Sequence, residues 1–157
     1  MAPAPPGSPR IRFSAGFSLL EMIVVLAIAG LIAAVVLPSL PGALESARLR
    51  GGAGDVRATF TLARTLAVSE ARNRSVAFDL ERGEYGIDGD ARKGLLPEGI
   101  RLLAVRLGNG AAEHGIVRVR FYPDGSADEA EVALSSSGGG GFRVSVDPLT
   151  GIASEGT

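Results

Sequence analysis

The sequence predicts an α+β fold, in which a long amino-terminal helix, half transmembrane and half amphipathic, packs on a mostly antiparallel sheet. Between residues 17 and 73, the apolar residues form first a continuous run and then a stripe at helical spacing. After residue 73, short alternating segments separated by turn sequences replace the helical pattern. We therefore divide the chain into a leader (1–16), a membrane-length helix (17–37), a hinge with an amphipathic helix (38–73) and a β-rich globular domain (74–157).

The composition excludes several classes of site. Lys and Arg number 16 against 17 Asp and Glu, and this near-zero net charge argues against a general nucleic-acid binder. The chain has no Cys and one His, so it has neither disulfides nor a cysteine or histidine cluster for zinc. No acid/base pair or nucleophile triad is visible, and we therefore expect neither an enzyme nor a bound cofactor.

The most informative segment is Gly16-Phe17-Ser18-Leu19-Leu20-Glu21, which begins an apolar run that ends at Leu37. A helix of about 21 residues rises about 31 Å, close to the thickness of a bilayer's hydrocarbon core. The leader carries Arg10 and Arg12 and no acidic residue, so the positive-inside rule places it in the cytoplasm and the C-terminus outside. We expect processing after Gly16 with the apolar segment retained, and a secretory signal peptide is the alternative.

Glu21 is the candidate functional side chain of this segment. A charged residue at mid-bilayer costs about 2.5–3.5 kcal/mol on insertion scales, so a carboxylate that is kept there has a use. Glu21 follows Phe17 by one helical turn, and the α-amine of a neighbouring Phe17, with an ordinary pKa of about 8, is the partner we expect. The amine of the same subunit is a competing partner, and a glutamate that snorkels to water is the simplest alternative.

A proline and then a helical stripe follow the apolar run. Pro38 either stops the membrane helix or acts as a hinge between anchor and stalk. The stripe predicts a helix from Ala43 to about Asn73, and a sheet is the expected partner of its apolar face, with a coiled-coil partner as the alternative. We expect a weak or locally melted point at Gly51, Gly52 and Gly54, because each glycine costs about 1 kcal/mol in a helix interior. The stripe consists of Leu49, Ala53, Val56, Phe60, Ala63, Ala67 and Ala71.

The last half of the chain predicts strands joined by turns. The turns are Glu81-Arg82-Gly83, Pro123-Asp124-Gly125 and Asp147-Pro148-Leu149-Thr150-Gly151. An acidic cluster beside the second turn is expected to be a solvated loop, with a calcium site or a partner contact as alternatives. This cluster consists of Asp124, Asp128, Glu129 and Glu131. The predicted strands are 75–80, 84–88, 100–107, 116–122, 131–134, 142–146 and a short segment at 152–153.

The segment at residues 16–21 resembles the type IV prepilin processing motif, which type IV pilins, minor pilins and the pseudopilins of type II secretion share. Internal segments resemble the H-type minor pseudopilins, the GspH/FimT family. They are Leu62-Ala63-Arg64, Ser69-Glu70-Ala71 with Asn73, Phe121-Tyr122-Pro123-Asp124-Gly125-Ser126, and Val146-Asp147-Pro148-Leu149-Thr150-Gly151. The resemblance covers nearly the whole chain after Gly16.

The resemblance implies how the chain would be processed, located and assembled. A prepilin peptidase in the inner membrane would cut after Gly16 and methylate the new amine of Phe17. The mature subunit would be single-pass, with its C-terminal domain in the periplasm. It would then enter a short pseudopilus with major and minor pseudopilins of the G, I, J and K types, at or near the tip, and would support export of folded proteins across the outer membrane.

A FimT-like minor pilin, acting in type IV pilus biogenesis or DNA uptake, is the alternative. DNA binding would need a basic face on the exposed domain. Residues 151–157 contain no Lys or Arg and do contain Glu155, which departs from a DNA-binding tail. Five arginines of the predicted sheet remain candidates for such a face, namely Arg101, Arg106, Arg118, Arg120 and Arg143.

Overall fold

The computed structural model describes residues 18–36, 40–91, 93–108 and 110–156. The chain forms two compact units, residues 1–39 and residues 40–157. Within the described ranges, the first unit contains helix α1 (Leu19–Val36), and the second contains helix α2 (Leu40–Ser69) and all the strands. Gly16, Phe17 and Pro38, for which processing, methylation and a hinge are predicted, lie outside the described residues.

Helix α1 has 18 residues, and its single acidic residue, Glu21, lies in the first turn. Among the described residues, no helix is both long enough and apolar enough to cross a membrane. The predicted span, residues 17–37, extends beyond α1 at both ends, into residues that the structure does not describe.

Helix α2 presents the predicted stripe to the core. Six of the seven stripe residues are buried, from Leu49 to Ala67. The prediction for the seventh stripe residue, Ala71, is wrong. The helix ends at Ser69, and Ala71 is exposed, with a positive φ of 51°. Ala71 occupies the left-handed position of a Schellman cap, in which the N–H of Arg72 donates to the carbonyl oxygen of Ala67.

The expected weak point at the three glycines of α2 is also wrong, because the helix is continuous through Gly51, Gly52 and Gly54. Gly52 is buried, and a Cβ at this position would lie 3.2 Å from Cδ of Pro97 and 3.5 Å from a methyl of Leu96. The absent side chain therefore lets the loop at Pro97 approach the helix closely. Packing against this loop offsets the helix-propensity cost that the sequence predicts.

The first sheet has the strand order β3-β2-β1-β6, and all its pairings are antiparallel. The central strand β1 places Ala77 opposite Gly86 of β2 and Arg118 of β6. The predicted hairpin between β1 and β2 is confirmed, and the Asp79 carboxylate accepts the N–H groups of Glu81 and Arg82 within its turn. The strands are β1 (Arg74–Asp79), β2 (Glu84–Ile87), β3 (Lys93–Leu95) and β6 (Ile116–Phe121).

The second sheet has the order β5-β4-β7-β8-β9 and is also antiparallel. The register between β4 and β7 shifts between Leu102 and Ala104, which is a β-bulge. The strands are β4 (Ile100–Leu107), β5 (Gly110–Ala112), β7 (Ala130–Ser136), β8 (Gly141–Val146) and β9 (Ala153–Gly156). Strands β3 and β5 were not predicted, since three residues are too few to show an alternation.

Both sheets pack against α2, which confirms the α+β fold and the prediction that a sheet covers the helix stripe. The core centres on Phe60 of α2, which has no exposed surface. Its ring centroid lies 5.5 Å from that of Phe78 in β1 and 5.7 Å from that of Phe121 in β6. Tilted aromatic contacts of this kind join the helix to the first sheet.

Candidate functional site

Helix α1 exposes large apolar side chains on every side. The exposed fractions run from 48% for Val24 to 79% for Leu19. A helix that is apolar all round belongs in a lipid or protein interior, and a continuous exposed apolar surface marks an interaction site. The exposed residues are Leu19, Leu20, Met22, Ile23, Val24, Val25, Leu26, Ile28, Leu31 and Ile32.

Glu21 is the single charged residue of α1. It is exposed and lies in the first turn, where the unpaired N–H groups of the helix end favour a negative charge. This favourable location lowers the cost of keeping a carboxylate in an otherwise apolar helix. The predicted partner, the amine of Phe17, lies outside the described residues, so the Glu21–Phe17 pairing stays a prediction.

In the second unit, the two sheet turns that the sequence singled out meet at Arg64 of α2. The Nε–H of Arg64 is shared between two carbonyl oxygens, Thr150 at 2.7 Å and Gly125 at 3.1 Å. A direct bond from the N–H of Ala127 to the carbonyl oxygen of Pro148, at 3.0 Å, also joins the turns. Three separate sequence motifs therefore form one structural unit, which we call the Arg64 clamp.

Each turn of the Arg64 clamp is organised by its own aspartate. Asp124 accepts hydrogen bonds from the hydroxyl and the N–H of Ser126, and these bonds lower the pKa of the carboxyl. Asp147 accepts from the N–H and the hydroxyl of Thr150 and from the N–H of Leu149, and its pKa is lowered for the same reason. Both carboxylates thus have structural partners within their turns.

Glycines permit the close approach within the clamp. Gly125 and Gly151 have φ values of 86° and 61°, in the left-handed region that other residues avoid. A Cβ on Gly151 would clash with the carbonyl oxygen of Gly125 and lie 3.1 Å from Cδ of Arg64. Glycine is therefore required where the two turns and the helix side chain converge.

The motif at the end of α2 forms a small charged cluster. The Glu70 carboxylate accepts from Nε of Arg72 at 2.7 Å and from Nε of Arg74 at 2.9 Å. These two guanidinium groups hold the pKa of Glu70 below its ordinary value. Since Arg74 begins β1, the cluster joins the end of the helix to the start of the first sheet.

A further contact holds the other end of α2. Glu45 accepts a hydrogen bond at 2.7 Å from the hydroxyl of Ser137, and another from the N–H of Gly138, in the loop between β7 and β8. These bonds lower the pKa of Glu45, the hydroxyl of Ser137 being the larger cause. Sequence reasoning missed this contact because no local pattern links residues that are 92 positions apart.

The five arginines considered for a basic face are divided between the two sheets. On the first sheet, Arg118 pairs with Asp88 at 2.9 Å and Arg120 pairs with Asp128 at 3.5 Å. The other three lie on the second sheet, and none makes an ion pair with a described residue. They are Arg101, Arg106 and Arg143.

Two of the four residues in the acidic cluster beside the second turn, Asp124 and Asp128, make local contacts. Asp128 accepts from the hydroxyl of Tyr122 at 2.9 Å and from the N–H of Arg120 at 3.2 Å, while Asp124 holds its own turn. In the ranges that the structure describes, no group of three His, Cys, Asp or Glu residues is placed to hold a metal ion.

Both the N-terminal segment and the fold of this chain are similar to those of known proteins. Residues 11–37 match the prokaryotic N-terminal methylation motif. The minor pseudopilin EpsH of the type 2 secretion system of Vibrio cholerae superposes with a TM-score of 0.55 at 13% identity, over 70% of this chain and 97% of EpsH. The chain has the pilin-like fold and carries the N-terminal methylation motif.

A second similar structure comes from the type IV pilus. The minor pilin FimU of Pseudomonas aeruginosa strain PAO1 superposes on this pilin-like chain with a TM-score of 0.55 at 20% identity, over 72% of this chain and 91% of FimU. Both similar structures are pilin or pseudopilin subunits rather than enzymes. No match was found among curated protein sequences.

Proposed function

We propose that this pilin-like chain is a minor pseudopilin, a structural subunit at or near the tip of the type II secretion pseudopilus, where it supports export of folded proteins across the outer membrane. The exposed apolar surface of α1, with its single carboxylate at Glu21, is the observation that carries the proposal. Such a surface needs a lipid or helical partner, and a filament of packed helices supplies one. The methylation motif at residues 11–37 supports N-terminal processing of the kind that pilins and pseudopilins share.

Processing would create the partner that Glu21 needs. A prepilin peptidase cuts after Gly16 and methylates the new amine of Phe17, so that a positive charge lies one helical turn before Glu21. In a low-dielectric helix bundle, an ionised carboxylate requires such a partner. Pairing with the amine of a neighbouring subunit would select one axial register between subunits.

In this proposal the mature chain waits in the inner membrane before assembly. Residues 17–37 form the anchor, Pro38 is the hinge, and residues 74–157 form the periplasmic domain. The leader lies in the cytoplasm because it carries Arg10 and Arg12. Major and minor pseudopilins of the G, I, J and K types are the proposed filament partners.

A FimT-like minor pilin of a type IV pilus, acting in pilus biogenesis or DNA uptake, is the second candidate. The fold is compatible with this candidate as well as with the first, because FimU, a type IV minor pilin, superposes with the same TM-score as EpsH. The arginines of the second sheet, which have no described acidic partner, are the surface that DNA binding would use.

Deletion of the gene in its host distinguishes the two candidates. Secreted enzymes are assayed in the culture supernatant, with DNA uptake and twitching motility measured in parallel. The pseudopilin assignment predicts lost secretion with normal uptake and twitching. Normal secretion with lost uptake or motility would overturn it in favour of the type IV pilus.

The Glu21→Ala variant tests the assembly role directly. We expect cleavage and methylation to continue, read by mass spectrometry of the mature N-terminus, while incorporation into filaments falls at least about tenfold, as loss of 1.4 kcal/mol of pairing energy requires. Glu21→Gln keeps the shape without the charge and should behave like Glu21→Ala. Glu113→Ala, which removes an exposed acid of the globular unit, is the matched control. Normal incorporation of Glu21→Ala would refute the pairing.

A further inference from the structure

The outer face of the second sheet carries a group of side chains that the proposed function does not use. Because side chains alternate along a strand, the residues between the buried positions of β4, β7 and β8 point away from α2. We call this surface the outer face. It comprises Arg101, Leu103, Ala104, Arg106, Glu131, Ala133, Ser135, Arg143 and Ser145.

The arginines of the outer face differ from those of the first sheet in their electrostatic environment. Arg101, Arg106 and Arg143 are exposed and have no ion pair among the described residues. Arg118 and Arg120 of the first sheet each have a carboxylate partner. The outer face therefore carries three guanidinium groups that make no ion pair with a described residue, and one carboxylate, Glu131, which lies opposite Arg106 in the strand pairing. The formal net charge of the whole chain is −1.

The β-bulge adds an apolar side chain to this surface. The register of β4 against β7 shifts between Leu102 and Ala104, so that two consecutive residues, Leu103 and Ala104, lie between the buried Leu102 and Val105. Leu103 is 54% exposed. Bulges redirect side chains and are frequent at functional edges of sheets. The strand thus presents Leu103 beside Ala104, on the face that carries the arginines.

The register also places the three arginines around a patch of small side chains. Ala104 pairs with Ala133, and Ala133 pairs with Arg143, so Arg143 lies two strands, about 10 Å, from Ala104. Arg101 and Arg106 lie on either side of Leu103 and Ala104 along β4. The small alanines let a partner surface approach the sheet closely between the three arginines.

We propose that the outer face docks an acidic protein surface, whose carboxylates meet the three arginines and whose apolar pocket receives Leu103. Guanidinium groups bind carboxylates in a bidentate geometry, and arginine around an apolar anchor is typical of protein interfaces. A nucleic acid is disfavoured here because three cations neutralise few phosphates, Glu131 lies among them, and the described residues of the face include no aromatic side chain for base stacking.

Peptide binding to the full-length chain in detergent micelles tests this docking surface. The probes are a fluorescent decaglutamate peptide and a peptide of equal length with two central leucines. The triple variant R101Q/R106Q/R143Q should weaken binding of both peptides at least tenfold. The matched variant R118Q/R120Q, which removes two arginines of the first sheet, should change binding less than twofold. Leu103→Ser should abolish the preference for the leucine-containing peptide.

When the triple variant is folded, three results would overturn the proposal. They are equal losses in the two arginine variants, unchanged binding in both, or tighter binding of a 20-base-pair DNA duplex through the same arginines. The last result would make the outer face a nucleic-acid surface. Thermal unfolding shows whether the triple variant is folded, and the single variant Arg143→Gln, with an expected loss of at least twofold, replaces it if it is not. A loss below twofold in a folded Arg143→Gln variant would also overturn the proposal.

Discussion

Replacement of Arg64 by alanine tests whether the Arg64 clamp stabilises the globular unit. The variant removes the Nε–H that the carbonyl oxygens of Gly125 and Thr150 share, and these oxygens lie 61 and 86 positions away in the sequence. Contacts of this kind form only in the folded chain. Their loss should therefore appear as a lower free energy of unfolding.

The magnitude follows from the geometry. A hydrogen bond from a charged donor contributes about 1.5–3 kcal/mol, and the lower part of this range applies because Arg64 is only partly buried and its one N–H serves two acceptors. Adding the lost contact of its side chain with Gly151, we expect about 2 kcal/mol. For a unit of this size, that loss lowers the melting temperature by roughly 8 °C.

Urea unfolding of residues 40–157, which contain every core residue, followed by circular dichroism, measures the effect. Arg57→Ala is the matched control on the same helix, because Arg57 is 54% exposed and Glu155 is its one ion-pair partner among the described residues, so its loss should cost at most about 1 kcal/mol. Arg64→Lys keeps the charge but not the directed N–H and should fall between the two. The clamp has no stabilising role if Arg64→Ala costs no more than Arg57→Ala.

Three further changes have expected outcomes. Glu45→Gln should destabilise the unit only above the ordinary carboxyl pKa of 4.5. The lowered pKa of Glu45 in the folded chain adds stability in that pH range, and this stability is lost as the pH falls through the folded pKa. A melting-temperature difference that does not depend on pH would contradict this. Ala71→Gly should stabilise the unit by up to about 1 kcal/mol in urea unfolding, because φ of 51° suits glycine; a loss of stability would contradict the cap assignment. Gly94→Ala should cost about 1–3 kcal/mol, because its Cβ would lie 2.6 Å from the buried ring of Tyr85. An absorbance titration should then show Tyr85 ionising below its present pKa, which burial raises to about 12, and an unchanged titration would refute the displacement.

Local patterns were sufficient where short-range physics decides the outcome. The stripe from Leu49 to Ala67 is buried as its spacing predicts, because positions three and four apart share one helix face. The turns at Asp124 and Asp147 were predicted because an aspartate followed by glycine supplies both the side-chain acceptor and the left-handed residue. The end of α2 was predicted too late, since nothing local distinguishes Ala71 in a helix from Ala71 in a cap.

Long-range contacts decided what local patterns missed. Glycines at 51, 52 and 54 predict a weak helix, yet Pro97 packs on Gly52 and the helix continues. The arginines of the two sheets look alike along the chain. Only the register of the strands gives Arg118 an acidic partner and leaves Arg143 without one among the residues that the structure describes. A bulge, which depends on the pairing of two strands, places Ala104 beside Leu103 on one face, between the buried Leu102 and Val105.

Residue types and short spacings were enough to predict the apolar helix with its single glutamate, the amphipathic helix and the positions of most strands and turns. These features depend on residue type and on interactions between residues fewer than two helical turns apart. Neighbouring residues make such interactions whatever the conformation of the rest of the chain. The meeting of two turns at Arg64, the pairing of charges and the open face of the second sheet depend instead on tertiary contacts. Those outcomes require residues distant in sequence to be brought within a few ångströms, which only the folding of both sheets onto α2 achieves.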